Sequence, residues 1–290
     1  MDFGRRDDDR GIDPRLPDPD PNAAAWLGGR PDALRVWIGC PGWNAGLDAL
    51  WPAGLPARGR LAHYATAFST VELNATFHAV PSAATVAAWA AGVPAGFRFG
   101  VKLPRAVTHE PTGWEAAATA TAAALAGFGA TAGPRFFQAP PGVSPGQLPA
   151  LLARIDALGG AVDALELRHP GWFVGGRLRA DLAEAMAARG VAPCLSDTPD
   201  RRDVVHGSFV GRRLVLRFLG IPGSPTNRAR LEAWAARARW AAARGLEELW
   251  LFVHSPDNVG LLELAADAAA VFGDAVVPPP GRVAQPRLFG

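Results

Sequence analysis

The sequence predicts a single (β/α)8 barrel of the TIM type, an α/β fold, with a disordered N-terminal tail and a short C-terminal tail. Two observations lead to this prediction. Across residues 34–275, short apolar runs alternate with alanine-rich stretches of helical period, which is typical of parallel β/α folds. Almost every predicted strand also ends in a polar or ionisable residue, as expected where the strand ends of a barrel form a site.

The predicted elements follow the chain in a regular order. Strands are expected near residues 35–39, 70–74, 97–102, 135–138, 162–168, 191–195, 213–218 and 248–253. Helices are expected near 58–68, 82–91, 114–128, 144–158, 178–189, 227–244 and 256–272, with a short helical turn between 197 and 211. An open doubly wound sheet is the alternative. The absence of a G-x-G-x-x-G sequence after the first strand weakens a dinucleotide-binding version of it.

Composition divides the chain into three regions. Residues 1–33 are rich in Asp, Pro, Arg and Gly without an apolar period, which predicts a disordered polar tail. Residues 34–275 form the barrel. Residues 276–290 begin with a proline-rich linker, which is stiff, and end in a short exposed peptide.

The bulk composition limits the classes of function. A formal net charge of +2 over 290 residues is mild and does not indicate a nucleic-acid binding surface. Two cysteines, Cys40 and Cys194, are too few for a disulfide scaffold and favour a reducing cytoplasm. The first residues lack the apolar stretch of a signal peptide, and no apolar run reaches the ~20 residues of a membrane span. We therefore expect a cytoplasmic protein without a membrane partner.

A charged cluster at the end of the fifth predicted strand is the strongest local signal. Glu166, Arg168 and His169 stand within four positions, just before a Pro-Gly turn and Trp172. Burial of an unpaired charge costs several kcal/mol, so these residues belong either to a site or to a structural ion pair. Glu166 and Arg168 share one strand face at i, i+2, which is compatible with both interpretations.

The other strand ends supply further candidates. Residues of the types that act as general acids and bases are Glu72, Glu166, Asp197 and His109. Residues of the types that bind a polar substrate are Lys102, Gln138, Arg168, Arg217, Asn74, Trp43 and His254. Lys102 is the only lysine among 29 Lys and Arg residues, and lysine differs from arginine in how readily its pKa shifts.

Each candidate also has a structural alternative. Glu72 can form a salt bridge with Lys102 or Arg168, and Asp197 can cap the following turn. His109 lies in a predicted loop, where most histidines are solvated, and Trp43 is compatible with packing at the barrel rim.

Several reaction classes remain open. The carboxylates suit the acid/base pair of glycoside hydrolysis. With the histidines they can hold a divalent metal for hydrolysis, although no compact H-E-x-x-H spacing is present and the cofactor stays unknown. Lys102 can form a Schiff base if its pKa is depressed. With Arg168 and Arg217 it can instead bind a phosphate or carboxylate, which is the simplest interpretation and predicts a small anionic or sugar-like substrate.

The motifs together resemble those of the YecE-like proteins, domain-of-unknown-function family 72. Residues 38–43 resemble the opening I-G-x-S-G-W motif, and residues 71–77 resemble V-E-I-N-S-T-F-Y. Lys102 with Thr108 and His109 is similar to F-x-F-x-x-K…T-H. Further blocks match Q-x-P-P from Gln138, E-x-R-H-x-S-W from Glu166 and S-D at 196–197. The resemblance covers residues 36–272 in the family's order and implies a β/α barrel with a polar pocket at its top, without implying a reaction.

Three positions depart from the family pattern. His78 stands where the family usually has Tyr, Leu219 replaces a His, and His254 stands in place of the first of two paired asparagines. The wall formed by strands seven and eight is therefore expected to differ. These departures favour either a divergent enzyme with a shifted substrate or a ligand-binding barrel without catalysis.

The C-terminal peptide carries a separate motif. Gln285, Leu288 and Phe289 resemble the Q-x-x-L-F peptide by which bacterial DNA-metabolism proteins bind the replicative sliding clamp, although Pro286 departs from it. A free end after a proline linker can present two apolar anchors to a groove. This motif supports the alternative of a metal-assisted nuclease or DNA-repair accessory recruited to the clamp; a tail packed on its own barrel is the structural explanation.

Our principal expectation from the sequence is a barrel with an anion-binding pocket at the C-terminal strand ends. If the protein is an enzyme, hydrolysis by carboxylate acid/base chemistry is the reaction class that the candidate residues favour.

Overall fold

Eight parallel strands form the barrel in the computed structural model, which describes residues 5–6, 8–29 and 33–281. The strands are β1 (Arg35–Gly39), β2 (Thr70–Leu73), β3 (Arg98–Lys102), β4 (Ala132–Gln138), β5 (Ala164–Glu166), β6 (Ala192–Asp197), β7 (Arg213–Leu219) and β8 (Glu248–His254). Their hydrogen-bonded order is β1-β8-β7-β6-β5-β4-β3-β2. The predicted barrel is confirmed, and each strand overlaps its predicted range.

Helices follow the strands and cover the barrel. They are α1 (Ala23–Leu27), α2 (Arg60–Ala67), α3 (Ala75–His78), α4 (Ala83–Ala91), α5 (Arg105–Thr108), α6 (Trp114–Ala126), α7 (Leu148–Asp156), α8 (Ala180–Ala188), α9 (Pro225–Ala242) and α10 (Leu261–Phe272). A short hairpin pairs Phe173–Val174 with Arg177–Leu178. Within the described ranges, no helix combines the length and the apolar character needed to cross a membrane.

Two helices begin later than the sequence predicts. Residues Pro145–Gln147 form a 3₁₀ turn before α7, capped by Ser144. Residues Pro256–Asn258 form another 3₁₀ turn before α10, in which Asp257 has a left-handed backbone with φ of 52°. That conformation cannot continue a right-handed helix, so α10 starts only after Gly260.

The barrel closes between β1 and β2 without a regular ladder. The Glu72 amide donates to the Cys40 carbonyl over 3.0 Å, and the Gly42 amide donates to the Glu72 carbonyl over 2.9 Å. Tyr64 reinforces this seam, because its hydroxyl accepts from the Cys40 amide at 2.8 Å and donates to the Thr70 carbonyl at 3.0 Å. The buried phenol therefore satisfies backbone groups that an incomplete ladder leaves unpaired.

An aromatic layer fills the barrel below the strand ends. The rings of Trp37 and Trp250 stack with centroids 4.7 Å apart, and Phe136 and Phe252 are fully buried beside them. Successive residues of a strand point to opposite faces. Polar residues stand two positions beyond several members of this buried cluster, with Gln138 after Phe136, Glu166 after Ala164 and His254 after Phe252, and they form a polar layer above the aromatic one.

The N-terminal segment differs from the prediction of a disordered tail over residues 1–33. In its described part, Ala23 and Leu27 of α1 are each only 1% exposed. Asp20 accepts a hydrogen bond from the Ser208 hydroxyl at 3.0 Å. The apolar pair lies at i, i+4 and gives α1 one buried face. The helix is short and its surroundings are polar, so composition alone did not indicate it. At the other end, Gln285, Leu288 and Phe289 lie outside the described residues.

Gly39 is expected to be required at the seam. A Cβ at this position would lie 2.2 Å from the Thr70 carbonyl oxygen, so β1 and β2 would have to separate. We expect Gly39→Ala to lower the free energy of unfolding by about 1–3 kcal/mol or more, measured by urea denaturation. The control is Gly142→Ala, which meets no atom within 4 Å and should change stability by less than about 0.5 kcal/mol. Equal stability of the two variants would contradict the tight approach at the seam.

Candidate functional site

A pocket of about 530 Å³ opens at the carboxyl ends of the barrel strands. Its walls come from the strand ends and the loops beyond them, namely Pro41, Asn74, Phe77, His78, Lys102, Gln138, Arg168, Arg217, His254 and Asn258. Every predicted substrate-binding residue except Trp43 lies in this lining. Pro41, Phe77 and Asn258 also line the pocket and were not among the predicted site residues, and His78 was noted only as a departure from the family pattern.

Arg217 is the centre of the polar layer. Its Nε and Nη2 donate to the two carboxylate oxygens of Glu72 at 3.0 and 2.9 Å. Its Nη1 donates to Oε2 of Glu166 at 3.0 Å. Burial by itself would lower the pKa of Arg217, but Glu72 and Glu166 outweigh it and raise that pKa. One guanidinium on β7 thus joins carboxylates from β2 and β5.

Both carboxylate oxygens of Glu166 accept hydrogen bonds from surrounding side chains. Oε2 also accepts from Gln138 Nε2 at 2.8 Å, while Oε1 accepts from Arg168 Nε at 2.7 Å and from the Ser196 hydroxyl at 2.9 Å. Burial would raise the pKa of Glu166, but Arg168 and Arg217 lower it to about 2. The predicted ion pair of Glu166 with Arg168 is therefore present, and Glu166 is ionised at neutral pH.

Glu72 is ionised for the same reason and has a histidine partner. Burial opposes its charge, but Arg217 and His254 hold the pKa of Glu72 well below its usual range. His254 Nε2 lies 3.0 Å from Glu72 Oε2, and burial lowers the pKa of His254. An ionised carboxylate only accepts hydrogen bonds, so neutral His254 carries its proton on Nε2. The salt bridge foreseen between Glu72 and Lys102 or Arg168 is replaced by the one with Arg217.

Lys102 is the cation that the carboxylates leave unpaired. Its Nζ lies 3.8 Å from the centre of the Phe77 ring. Within the ranges that are described, no side chain or carbonyl forms a hydrogen bond or ion pair with this ammonium group. Burial and the charge of Arg217 lower the pKa of Lys102 to about 8, although Glu166 and Glu72 act in the opposite direction. Lys102 therefore faces the pocket with a proton that it can release near neutral pH.

Asp197 lies outside the pocket, contrary to its predicted acid/base role. Ser196 points into the barrel, so its neighbour Asp197 points outward to α9 because side chains alternate along the strand. Asp197 accepts hydrogen bonds from Arg230 at 2.7 Å and from the Trp234 indole at 2.6 Å, and it also pairs with Arg202. Ser196 has the same parity along β6 as Cys194 and Ala192, and this signal in the sequence could have identified the inward residue.

Two other candidates stand beside the pocket. His109 contacts Phe77 edge-on, with ring centres 5.2 Å apart, and lines a neighbouring cavity of about 210 Å³. Burial and the charge of Lys102 lower its pKa to about 4, so His109 is neutral at physiological pH. Trp43 packs edge-on against Trp89 at 5.8 Å, which is the predicted structural alternative.

The described residues contain no group of three or more His, Cys, Asp or Glu side chains arranged to hold a metal ion. Glu72 and Glu166 direct their oxygens to Arg217, and a guanidinium competes with a cation for that position. The divalent metal considered from the sequence thus finds no ready ligand set in this part of the chain.

Comparison with known proteins identifies relatives over most of the chain. The family described as "Protein of unknown function DUF72" matches residues 37–284. The UPF0759 protein YecE of Escherichia coli K12 is 26% identical over 252 residues, covering 79% of this chain and 89% of YecE. The same protein from Escherichia coli O157:H7 matches to the same extent.

Solved structures share the fold. A DUF72 family protein from Enterococcus faecalis V583 superimposes with a TM-score of 0.65 at 15% identity, covering 83% of this chain and 98% of that chain. A DUF72 family protein from Thermotoga maritima MSB8 superimposes with a TM-score of 0.59 at 18% identity, covering 81% and 98%. These two structures support the barrel architecture independently of the site residues.

Acid should destabilise the protein through Glu166. Its folded-state pKa of about 2 lies below its ordinary value of 4.5. The stabilisation is therefore complete above that ordinary value and is lost as the pH falls towards 2. We expect the wild-type free energy of unfolding to fall by a few kcal/mol over this range, more steeply than that of Glu166→Gln, which cannot titrate there.

Urea denaturation followed by tryptophan fluorescence measures this difference. At neutral pH, Glu166→Gln should already be about 3–5 kcal/mol less stable, because two buried cations lose a counter-ion. Glu184→Gln, at an exposed position of α8, should keep the wild-type pH dependence. Parallel pH profiles for all three proteins would show that Glu166 does not control acid stability.

Proposed function

The chain belongs to the DUF72 family, and we propose that its pocket binds a small anionic molecule. The observation that carries this proposal is the ammonium group of Lys102 in the pocket wall. Arg217 pairs with Glu72 and Glu166, and Arg168 pairs with Glu166, whereas no described residue forms an ion pair or hydrogen bond with Lys102. A partly buried cation attracts an anion more strongly than an exposed one does.

Both carboxylates are already saturated, so they repel an anion less than free carboxylates would. Glu166 accepts hydrogen bonds on both oxygens, and both oxygens of Glu72 accept hydrogen bonds from the guanidinium group of Arg217. Lys102 lies at the pocket wall without such a partner among the described residues. Its ammonium group is therefore the natural first contact for a phosphate or carboxylate.

Other polar side chains line the same pocket. Asn74, His78 and Asn258 line the pocket and can donate or accept hydrogen bonds. A volume of about 530 Å³ is within the range of small-molecule sites. We propose that the anionic group binds towards Lys102 and Arg168, while the remainder of the ligand contacts the amides. A phosphorylated or carboxylated sugar-like molecule fits this division.

The hydrolase expected from the sequence requires a proton donor, and the depressed pKa values do not favour Glu72 or Glu166 in that role. If the pocket catalyses a reaction, we assign proton transfer to Lys102, whose pKa of about 8 suits it.

Recruitment to a sliding clamp through Gln285, Leu288 and Phe289 stays a prediction from the sequence.

Lys102→Gln should weaken anion binding. Loss of a hydrogen bond to a charged group costs about 1.5–3 kcal/mol, which corresponds to a roughly 10- to 100-fold higher Kd. Isothermal titration with inorganic phosphate and with malonate measures the effect, and binding should also weaken with added salt. Lys102→Arg keeps the charge and should bind within a few-fold of the wild type. The exposed Arg228→Gln is the surface control.

Two results would contradict the proposal. Failure of the wild-type protein to bind any of several small anions would remove the anion site itself. Equal affinities of wild type and Lys102→Gln would show that the unpaired ammonium group is not the contact.

A further inference from the structure

We propose that Lys102 is a nucleophile that forms an imine with an aldehyde or ketone carrying a carboxylate or phosphate group. The inference rests on the anion-binding function proposed for the same pocket and adds the class of substrate. The anionic group would bind on the Arg168 side of the pocket, and the carbonyl carbon would meet Nζ of Lys102.

Composition gives the first argument. This chain uses arginine at every basic position except residue 102. Arginine carries the same charge, but it stays protonated at any pH at which the protein is folded, whereas a lysine amine can lose its proton. A position that needed only positive charge would be expected to hold arginine in such a chain. The one exception stands at the end of β3, inside the pocket.

The position of Nζ gives the second argument. It rests against the face of Phe77 at 3.8 Å from the ring centre. Glu72 and Glu166 are occupied by Arg217, Arg168, Gln138, Ser196 and His254. The amine is therefore not tied into an ion pair that would keep it protonated. An ion pair would hold the lone pair of the nitrogen in an N–H bond and prevent attack.

The electrostatic environment supports this assignment. Burial and the nearby Arg217 charge lower the pKa of Lys102 to about 8. At neutral pH about a tenth of the amine is consequently unprotonated, far more than for an exposed lysine. Because Glu72 and Glu166 are paired with arginine side chains, their negative charges are balanced locally and repel an anionic substrate less.

The step balances without an added oxidant or reductant. The lone pair of Nζ adds to the carbonyl carbon and forms a C–N bond, while the carbonyl oxygen takes up a proton. The resulting carbinolamine then loses its oxygen, so that the two amine hydrogens and the carbonyl oxygen leave together as one water molecule. The product is a C=N bond, which draws electrons from the adjacent carbon once it is protonated.

Reductive trapping tests the proposal on the full-length protein. Glyoxylate combines an aldehyde with a carboxylate, and sodium borohydride reduces its imine to a stable carboxymethyl-amine. The side chain of Lys102 is the only lysine amine in the chain, so peptide mapping by mass spectrometry separates it from the N-terminal amine. We expect one carboxymethyl group on Lys102, formed at neutral pH at least about tenfold faster than on Nα-acetyl-lysine in the same solution.

Three controls define the chemistry. Acetaldehyde lacks the anionic group and should label Lys102 at least about tenfold more slowly than glyoxylate does, because it loses the charged contact. Inorganic phosphate should protect Lys102 from glyoxylate. Lys102→Arg should show no side-chain adduct, and its circular dichroism spectrum and urea denaturation curve verify that the variant is folded.

The outcomes for the two proposals can be separated. Labelling of Lys102 no faster than that of Nα-acetyl-lysine would overturn the imine and leave the anion pocket standing if phosphate still binds. Equal labelling by acetaldehyde and glyoxylate would overturn the anionic substrate class. Absence of phosphate binding in the wild type would overturn the proposed function itself.

Discussion

The polar layer at the carboxyl ends of the barrel strands depends on one buried guanidinium group, which lies between two carboxylates. Arg217 joins Glu72 of β2 to Glu166 of β5 while it lies on β7 itself, so three separate parts of the wall are tied at one point. Transfer of each ion from water into this interior is costly, and only mutual pairing with further hydrogen bonds offsets the cost. Loss of one member would leave an uncompensated charge buried at this point. It sits directly on the aromatic layer, with the guanidinium 5.3 Å from the centre of the Phe136 ring.

This pairing also determines which group is free to act. Carboxylates at the strand ends of a barrel are the obvious candidates for acid/base chemistry, but here they are occupied by arginines and remain ionised. Among the described residues of the pocket, Lys102 stands outside this ion network, and burial lowers its pKa to about 8.

A second network, built around Asp197, serves the fold. Arg230 contacts the Asp197 carboxylate and carbonyl and the Leu219 carbonyl, and Trp234 donates its indole proton to the same carboxylate. These contacts fasten α9 to the ends of β6 and β7. Ser196 therefore faces the barrel interior and Asp197 faces the helix layer, since neighbouring side chains of a strand face opposite sides.

The sequence by itself determined the number and order of the strands, the location of polar residues at their ends and the shared strand face of Glu166 and Arg168. Those features depend on local periodicity and on neighbours two positions apart. Only the tertiary structure decided that Glu72 pairs with Arg217, 145 positions away, and that α1 docks on the barrel. Such contacts depend on how the barrel closes in space, because the sequence pattern records which side chains face inward but not which of them meet.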